Sequence, residues 1–270
     1  MNNSPIGVFD SGLGGLTAVR ELKNVLPNEN IIYFGDTGRV PYGTRSNDTI
    51  KKYADQDTKF LLNNNVKMVI AACGTVSSVA YYLKRDLPVP YTGVVSPTCF
   101  AAAKATKNKK IGVIGTSATI NSHSYRDLIH SFDSEIEVIE QDCPLFVPLV
   151  ESGFIDKDDP VTKLVIERYL VKIMEAGADT VILGCTHYPI IAEAISSVIG
   201  DEVKLIDSGR ETAIYAAKIL KENNLLNDSS QKGVCEYFVS DTPEGFENVA
   251  NVFLGENVNH NVTQIDIEKY

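Results

Sequence analysis

Nine short runs rich in Val, Ile and Phe recur along the chain, and longer amphipathic stretches separate most of them. The runs are Ile6–Phe9, Ile31–Phe34, Lys67–Ala71, Tyr91–Val95, Ile111–Ile114, Ile136–Ile139, Thr180–Leu183, Val203–Ile206 and Glu236–Val239. Runs this short and apolar read as strands buried in parallel sheets. Helical patterns fall between them, for example over Thr49–Leu62, Thr162–Glu175 and Arg210–Glu222. This alternation predicts an α/β fold of doubly wound parallel sheets.

The chain also resembles itself. Ile6-Gly7-Val8-Phe9-Asp10-Ser11 parallels Ile111-Gly112-Val113-Ile114-Gly115-Thr116. Cys73 is followed 23 positions later by Ser96, and Cys185 by Ser208 at the same interval. Each serine follows an apolar strand and suits a helix N-cap. Two related α/β domains are expected. Residues 1–95 plus 208–270 form the first, discontinuous one, and 96–207 form the second.

Net charge is −10, with 35 acidic and 25 basic side chains. The densest basic run, Lys107-Asn108-Lys109-Lys110, is too short for a nucleic-acid patch, so no nucleic acid is expected as a partner. An anionic ligand would have to be held by local dipoles. No apolar stretch approaches the roughly 20 residues of a membrane span, and the N-terminus has no charged export signal. The five cysteines are odd in number, and no two are spaced as CxxC. A cytoplasmic chain with reduced thiols is expected, without membrane attachment or disulfide framework.

Cys73 and Cys185, 112 positions apart, sit in matching settings. Val69-Ile70-Ala71-Ala72 leads to Cys73-Gly74-Thr75, and Val181-Ile182-Leu183-Gly184 leads to Cys185-Thr186-His187. Each thiol ends a strand, where open parallel sheets bind ligands. A buried cysteine is often a small packing residue, which is the reading for Cys99, Cys143 and Cys235. Two in mirrored positions instead suggest bases on opposite faces of one carbon. Inversion of a tetrahedral carbon removes a proton from one face and delivers one to the other. One sulfur starts as thiolate and the other as thiol.

Asp10-Ser11-Gly12-Leu13-Gly14-Gly15-Leu16-Thr17 fails the dinucleotide pattern, because Thr17 stands where the third glycine should be. It reads as a turn offering backbone N–H groups to a small carboxylate or phosphate. Asp36 to Gly43, with Pro41 and Gly43, reads as a second wall of the same cleft. Asp10 near one thiol and His187 near the other could accept and return protons. Glu151, at the end of Leu149-Val150, reads alone as a solvated helix residue. His123, His130 and His260 show no ligand spacing, so no metal is expected. No lysine occupies these strand-end motifs, so a pyridoxal Schiff base is not indicated and no cofactor is expected.

At these residues the chain resembles the glutamate racemase family, part of a wider aspartate/glutamate racemase group. The resemblance rests on Phe9-Asp10-Ser11-Gly12-Leu13-Gly14-Gly15, Pro41-Tyr42-Gly43, Ala72-Cys73 and Gly184-Cys185-Thr186-His187-Tyr188-Pro189. It implies two flavodoxin-like domains facing each other across a cleft. It also implies cofactor-independent interconversion of L- and D-glutamate, with D-glutamate supplied to peptidoglycan synthesis. By the same resemblance Cys73 and Cys185 are the two bases, and Asp10, Glu151 and His187 auxiliary acid/base groups. Asp10, Ser11, Tyr42, Gly43, Gly74, Thr75, Thr186 and His187 would contact glutamate. Members of the family are often dimers, so a homodimer is expected.

Gly74 departs from the family, which usually has asparagine there, and so an amide donor to the substrate is missing. The chain also lacks the N-terminal extension of members activated by a peptidoglycan precursor, and no such activation is expected. Two rival readings differ in class. One is a sister enzyme acting on aspartate, a hydantoin or another dicarboxylic acid. The other is a non-catalytic small-molecule binding protein.

Overall fold

The computed structural model describes residues 3–244, 246–255 and 262–270. His260 lies outside the described residues. Among the described residues, ten strands form two parallel sheets. They are β1 (Ile6–Asp10), β2 (Ile31–Gly35), β3 (Met68–Ala71), β4 (Tyr91–Gly93), β5 (Lys110–Gly115), β6 (Glu137–Asp142), β7 (Thr180–Leu183), β8 (Lys204–Asp207), β9 (Cys235–Val239) and β10 (Val262–Gln264).

The six-stranded sheet runs β10-β9-β2-β1-β3-β4, and the four-stranded sheet runs β6-β5-β7-β8. In each sheet the first strand of a unit lies between the second and the third. The order β2-β1-β3-β4 is therefore repeated by β6-β5-β7-β8. The chain reverses its winding between β1 and β3 and again between β5 and β7. Strand C-termini open a crevice at such switch points. Cys73 follows β3 and Cys185 follows β7, which are equivalent strands of the two units.

Period-two alternation divides each central strand between two apolar layers. Ile6 and Val8 of β1, Met68 and Ile70 of β3, and Val181 and Leu183 of β7 belong to one continuous cluster spanning both sheets. Phe9, Val69 and Ala71 pack on the outer face of the larger sheet. Ile182 packs on the outer face of the smaller one. The helices Leu16–Val25 and Ser208–Glu222 pack against each other within the shared layer.

Two sequence expectations need correction, and one strand has no counterpart among them. The run Tyr91–Val95 stops being strand at Gly93, and Val95 opens a helix to Ala105. Ser77 Oγ sits 2.6 Å from where a Gly93 Cβ would be, and it accepts the Val94 N–H at 3.0 Å. That bond turns the chain one residue past the glycine. The serines are not the caps either. Val94 occupies the first cap without a side-chain bond, and Ser96 lies inside the helix. Asp207 caps the helix begun by Ser208, accepting from Gly209 N at 2.7 Å and Arg210 N at 3.2 Å. Finally, β10 escaped notice because Val262 is its only residue that is not exposed.

Candidate active site

The C-terminal ends of β1, β3, β5 and β7 converge on a cavity of about 420 Å³ between the sheets. Its lining comes from both sides. Asp10, Ser11, Tyr42, Gly43, Cys73, Gly74 and Thr75 belong to the larger-sheet side. Glu151, Cys185, Thr186 and His187 come from the smaller-sheet side. The structure thus brings all eleven residues singled out in the sequence to one cavity.

Cys73 occupies the N-cap of the helix Gly74–Val79 and is 6% exposed. Its thiol points to Ser11 Oγ at 3.4 Å. Burial, then the neighbouring Asp10 charge, pushes this thiol up to about 12, against the opposing bonds from Ser11 and the Val76 N–H. Asp10 itself is buried, and its Oδ1 has no hydrogen-bond partner. Burial raises its carboxyl above the ordinary value, while the His187 charge and the amides of Gly15, Gly12 and Ser11 pull it down. Asp10 thereby takes up a proton more readily than an ordinary aspartate.

The surroundings of Cys185 carry the opposite charge. His187 Nδ1 lies 4.0 Å from Cys185 Sγ, and its Nε2 lies 3.1 Å from Glu151 Oε1. Phe253 packs edge-on against the imidazole, with ring centroids 5.1 Å apart. Burial disfavours the imidazolium, but the bonds to Cys185 and Glu151 and the Asp10 charge outweigh it and hold the ring up to about 10. One sulfur thus sits beside a carboxylate and the other beside a cation. Such asymmetry suits a thiol on one face and a proton-accepting sulfur on the other.

One donor of the glycine turn serves the protein's own carboxylate: Gly12 N–H donates to Asp10 Oδ2 at 3.0 Å. Glu151, read from sequence as a solvated helix residue, is half-exposed yet bonded to His187. Cys143, read as packing, is buried and also lines the cavity. Cys99 lies under Tyr125, its thiol 3.6 Å from that residue's carbonyl.

Thr116 and Thr119 were missed. Thr116 Oγ1 lies 3.5 Å from Thr75 Oγ1 and 3.0 Å from Thr119 Oγ1, making a hydroxyl cluster across the cleft. The internal repeat held the signal, since Thr116 matches Ser11.

Two glycines let the sides meet. A Cβ on Gly14 would overlap Thr186 Oγ1 and stand 2.6 Å from His187 Nδ1. A Cβ on Gly74 would stand 2.6 Å from the Gly184 carbonyl oxygen. The absence of asparagine at position 74 is thereby explained locally, because backbone from the facing side fills the space. Thr17 Oγ1 completes the seam by donating to the Thr186 carbonyl at 2.9 Å. Gly14→Ala and Gly74→Ala are each expected to displace the Cys185–His187 segment. Steady-state assays should show at least about tenfold loss of kcat/KM, as misplacement by a fraction of an ångström typically costs. Unchanged kinetics would mean that the seam is not this tight.

A sequence profile described as Asp/Glu/Hydantoin racemase matches residues 16–216. The chain belongs to this family. It is 46% identical over 264 residues to a glutamate racemase of Geobacter metallireducens, with 97% of each chain covered. A glutamate racemase of Thermoanaerobacter pseudethanolicus is 43% identical over the full length of both chains. Among solved structures, a glutamate racemase isoform of Bacillus anthracis superposes with a TM-score of 0.93 at 35% identity, covering 98% of each chain. The Francisella tularensis glutamate racemase, determined in complex with D-glutamate, gives 0.91 at 39% identity and covers both chains fully. An aspartate racemase of Picrophilus torridus shares the fold alone, at 15% identity, a TM-score of 0.59 and coverage of 82% of this chain and 94% of its own. Among the described residues, no helix is long and apolar enough to cross a membrane.

Proposed function

We propose that this racemase interconverts L- and D-glutamate by two-base proton transfer, without a cofactor, and supplies D-glutamate for peptidoglycan synthesis. The observation that carries the reading is the pair of strand-end thiols lining one cavity from its two sides, with Asp10 beside Cys73 and His187 beside Cys185. Similarity to a racemase determined with D-glutamate supports the substrate. Full-length similarity to glutamate racemases, against fold-level likeness to an aspartate racemase, favours glutamate over the sister substrates.

In this mechanism one sulfur takes the Cα proton while the other delivers a proton to the opposite face. The carbanion beside the carboxylate is stabilised by oriented N–H and hydroxyl donors, including the Thr75–Thr116–Thr119 cluster. The His187 imidazolium returns a proton from Nδ1 to the Cys185 thiolate, and Asp10 takes that of Cys73. Residues 1–95 plus 208–270 and residues 96–207 act as two lobes that close over substrate. A cytoplasmic homodimer belongs to the same reading, and sedimentation velocity tests the dimer.

The decisive test is incubation with L-glutamate in heavy water without added pyridoxal phosphate. Optical rotation should decay to zero while deuterium enters Cα. Binding of glutamate with neither change would support the binding-protein reading. Turnover of L-aspartate in place of glutamate would support the sister-enzyme reading.

A further inference from the structure

Tyr42, which lines the cavity, belongs to a buried cluster centred on Arg39. Arg39 Nε donates to Asp36 Oδ2 at 2.6 Å, and Nη2 donates to Asp57 Oδ1 at 3.0 Å. Its Nη1 bonds Gln56 Oε1 at 2.6 Å and Glu268 Oε1, from the last turn of the chain, at 3.2 Å. The guanidinium lies 4.0 Å over the Tyr53 ring, which packs against Tyr42. The Tyr42 hydroxyl sits between two carboxylates, bonded to Asp36 Oδ2 and 3.1 Å from Asp57 Oδ2. Asp36 and Asp57 are both 0% exposed.

Proton counting constrains this arrangement. A tyrosine hydroxyl has one proton to donate, yet it touches an oxygen of each carboxylate. Were both carboxylates ionised, one contact would set two buried acceptors against each other, which is costly. Asp36 already accepts from Arg39 on Oδ2 and from Ser240 Oγ on Oδ1 at 2.7 Å. The Tyr42 proton therefore goes to Asp36. The remaining contact is satisfied only by a proton on Asp57 Oδ2, and Asp57 Oδ1 stays free to accept from Arg39.

We propose that Asp57 is a neutral carboxylic acid in the folded protein, and that the relay Asp57 to Tyr42 to Asp36, closed by Arg39, is the positioning device for the Pro41–Gly43 wall of the substrate cavity. Asp57 faces Asp36, Arg39 and Tyr42 from β2 and its loop, Asp10 from β1, and Glu268 through Arg39. Burial, then the Asp36 charge, raises its carboxyl well above the ordinary value, in agreement with the proton count. The proposal deepens the racemase reading where it concerns substrate affinity. The retained proton can be measured without turnover.

Infrared spectra of the full-length protein at neutral pH should show a protonated-carboxyl C=O band that Asp57→Asn removes. Asparagine can donate to Tyr42 and accept from Arg39, so this variant should keep KM for glutamate within about twofold. Asp57→Ala loses both bonds and should raise KM about tenfold, with kcat less affected. A raised aspartate makes the folded state hold a proton that the unfolded chain releases above about pH 4, so folding loses stability as pH rises from there. The wild-type melting temperature should accordingly fall more steeply with pH than that of Asp57→Asn, even if the alanine variant fails to fold. An undiminished band in Asp57→Asn, identical pH slopes, or equal damage from asparagine and alanine would each overturn the proposal. Loss of racemase activity in wild type with the band intact would overturn only the functional reading.

Discussion

Replacing either Cys73 or Cys185 by alanine should stop racemisation, with kcat reduced at least about 10³-fold, the scale of losing an essential proton-transfer group. Isotope exchange should survive one-sidedly. Each variant keeps one sulfur, and that sulfur meets the Cα proton of only one enantiomer. It can remove that proton, exchange it with solvent and return deuterium to the same face, so label enters without inversion. In Cys73→Ala the exchange path runs through His187 and Glu151, which bond across 3.1 Å. In Cys185→Ala it runs through Asp10, whose Oδ1 has no hydrogen-bond partner. The two variants should label opposite enantiomers, as followed by proton NMR in heavy water. Equal labelling of both enantiomers by one variant would show that the sulfurs do not bracket the carbon. Both side chains are small and nearly buried, so folding should survive their truncation.

Much of this site was legible because a βα unit delivers its strand-end residues to one edge. Asp10, Cys73 and Cys185 each terminate an apolar run, and the runs carry the fold. What stayed hidden depends on contacts between distant segments. Glu151 lies 36 positions before His187, and only the family resemblance singled it out, since nothing local distinguishes it from other exposed helical glutamates. Arg39, Asp57 and Glu268 are joined over 18 and 229 positions, and only the return of the chain's last turn to the larger sheet unites them. Cys143 follows β6, the partly buried edge of the smaller sheet, and the apolar run there ends at Ile139, four positions short of it. The glycine turn displays its donors in the sequence, while the bond from Gly12 N–H to Asp10 is a matter of three-dimensional reach.

Activity should hold through neutral pH and fall on the alkaline side near pH 10, where His187 loses its second ring proton. Above that pH Cys185 no longer faces a cation, whereas Cys73, pushed up to about 12, still carries its proton. The alkaline limb of kcat/KM therefore belongs to the imidazole, and His187→Asn should abolish or shift it while lowering kcat about 10²-fold. The same group shapes stability, and the sign is fixed by the direction of its displacement. The folded state holds the proton up to about 10, against 6.5 for an ordinary histidine. Its contribution is fully present below about pH 6.5 and is lost as pH rises through about 10. Wild-type melting temperature should decline across that window, and His187→Asn should decline less. An unchanged alkaline limb together with parallel melting curves would show that the imidazolium is not held by Cys185 and Glu151. In that case the charge asymmetry between the two sulfurs would have to come from Asp10 alone, and Asp10→Asn, not His187→Asn, would move the pH profile.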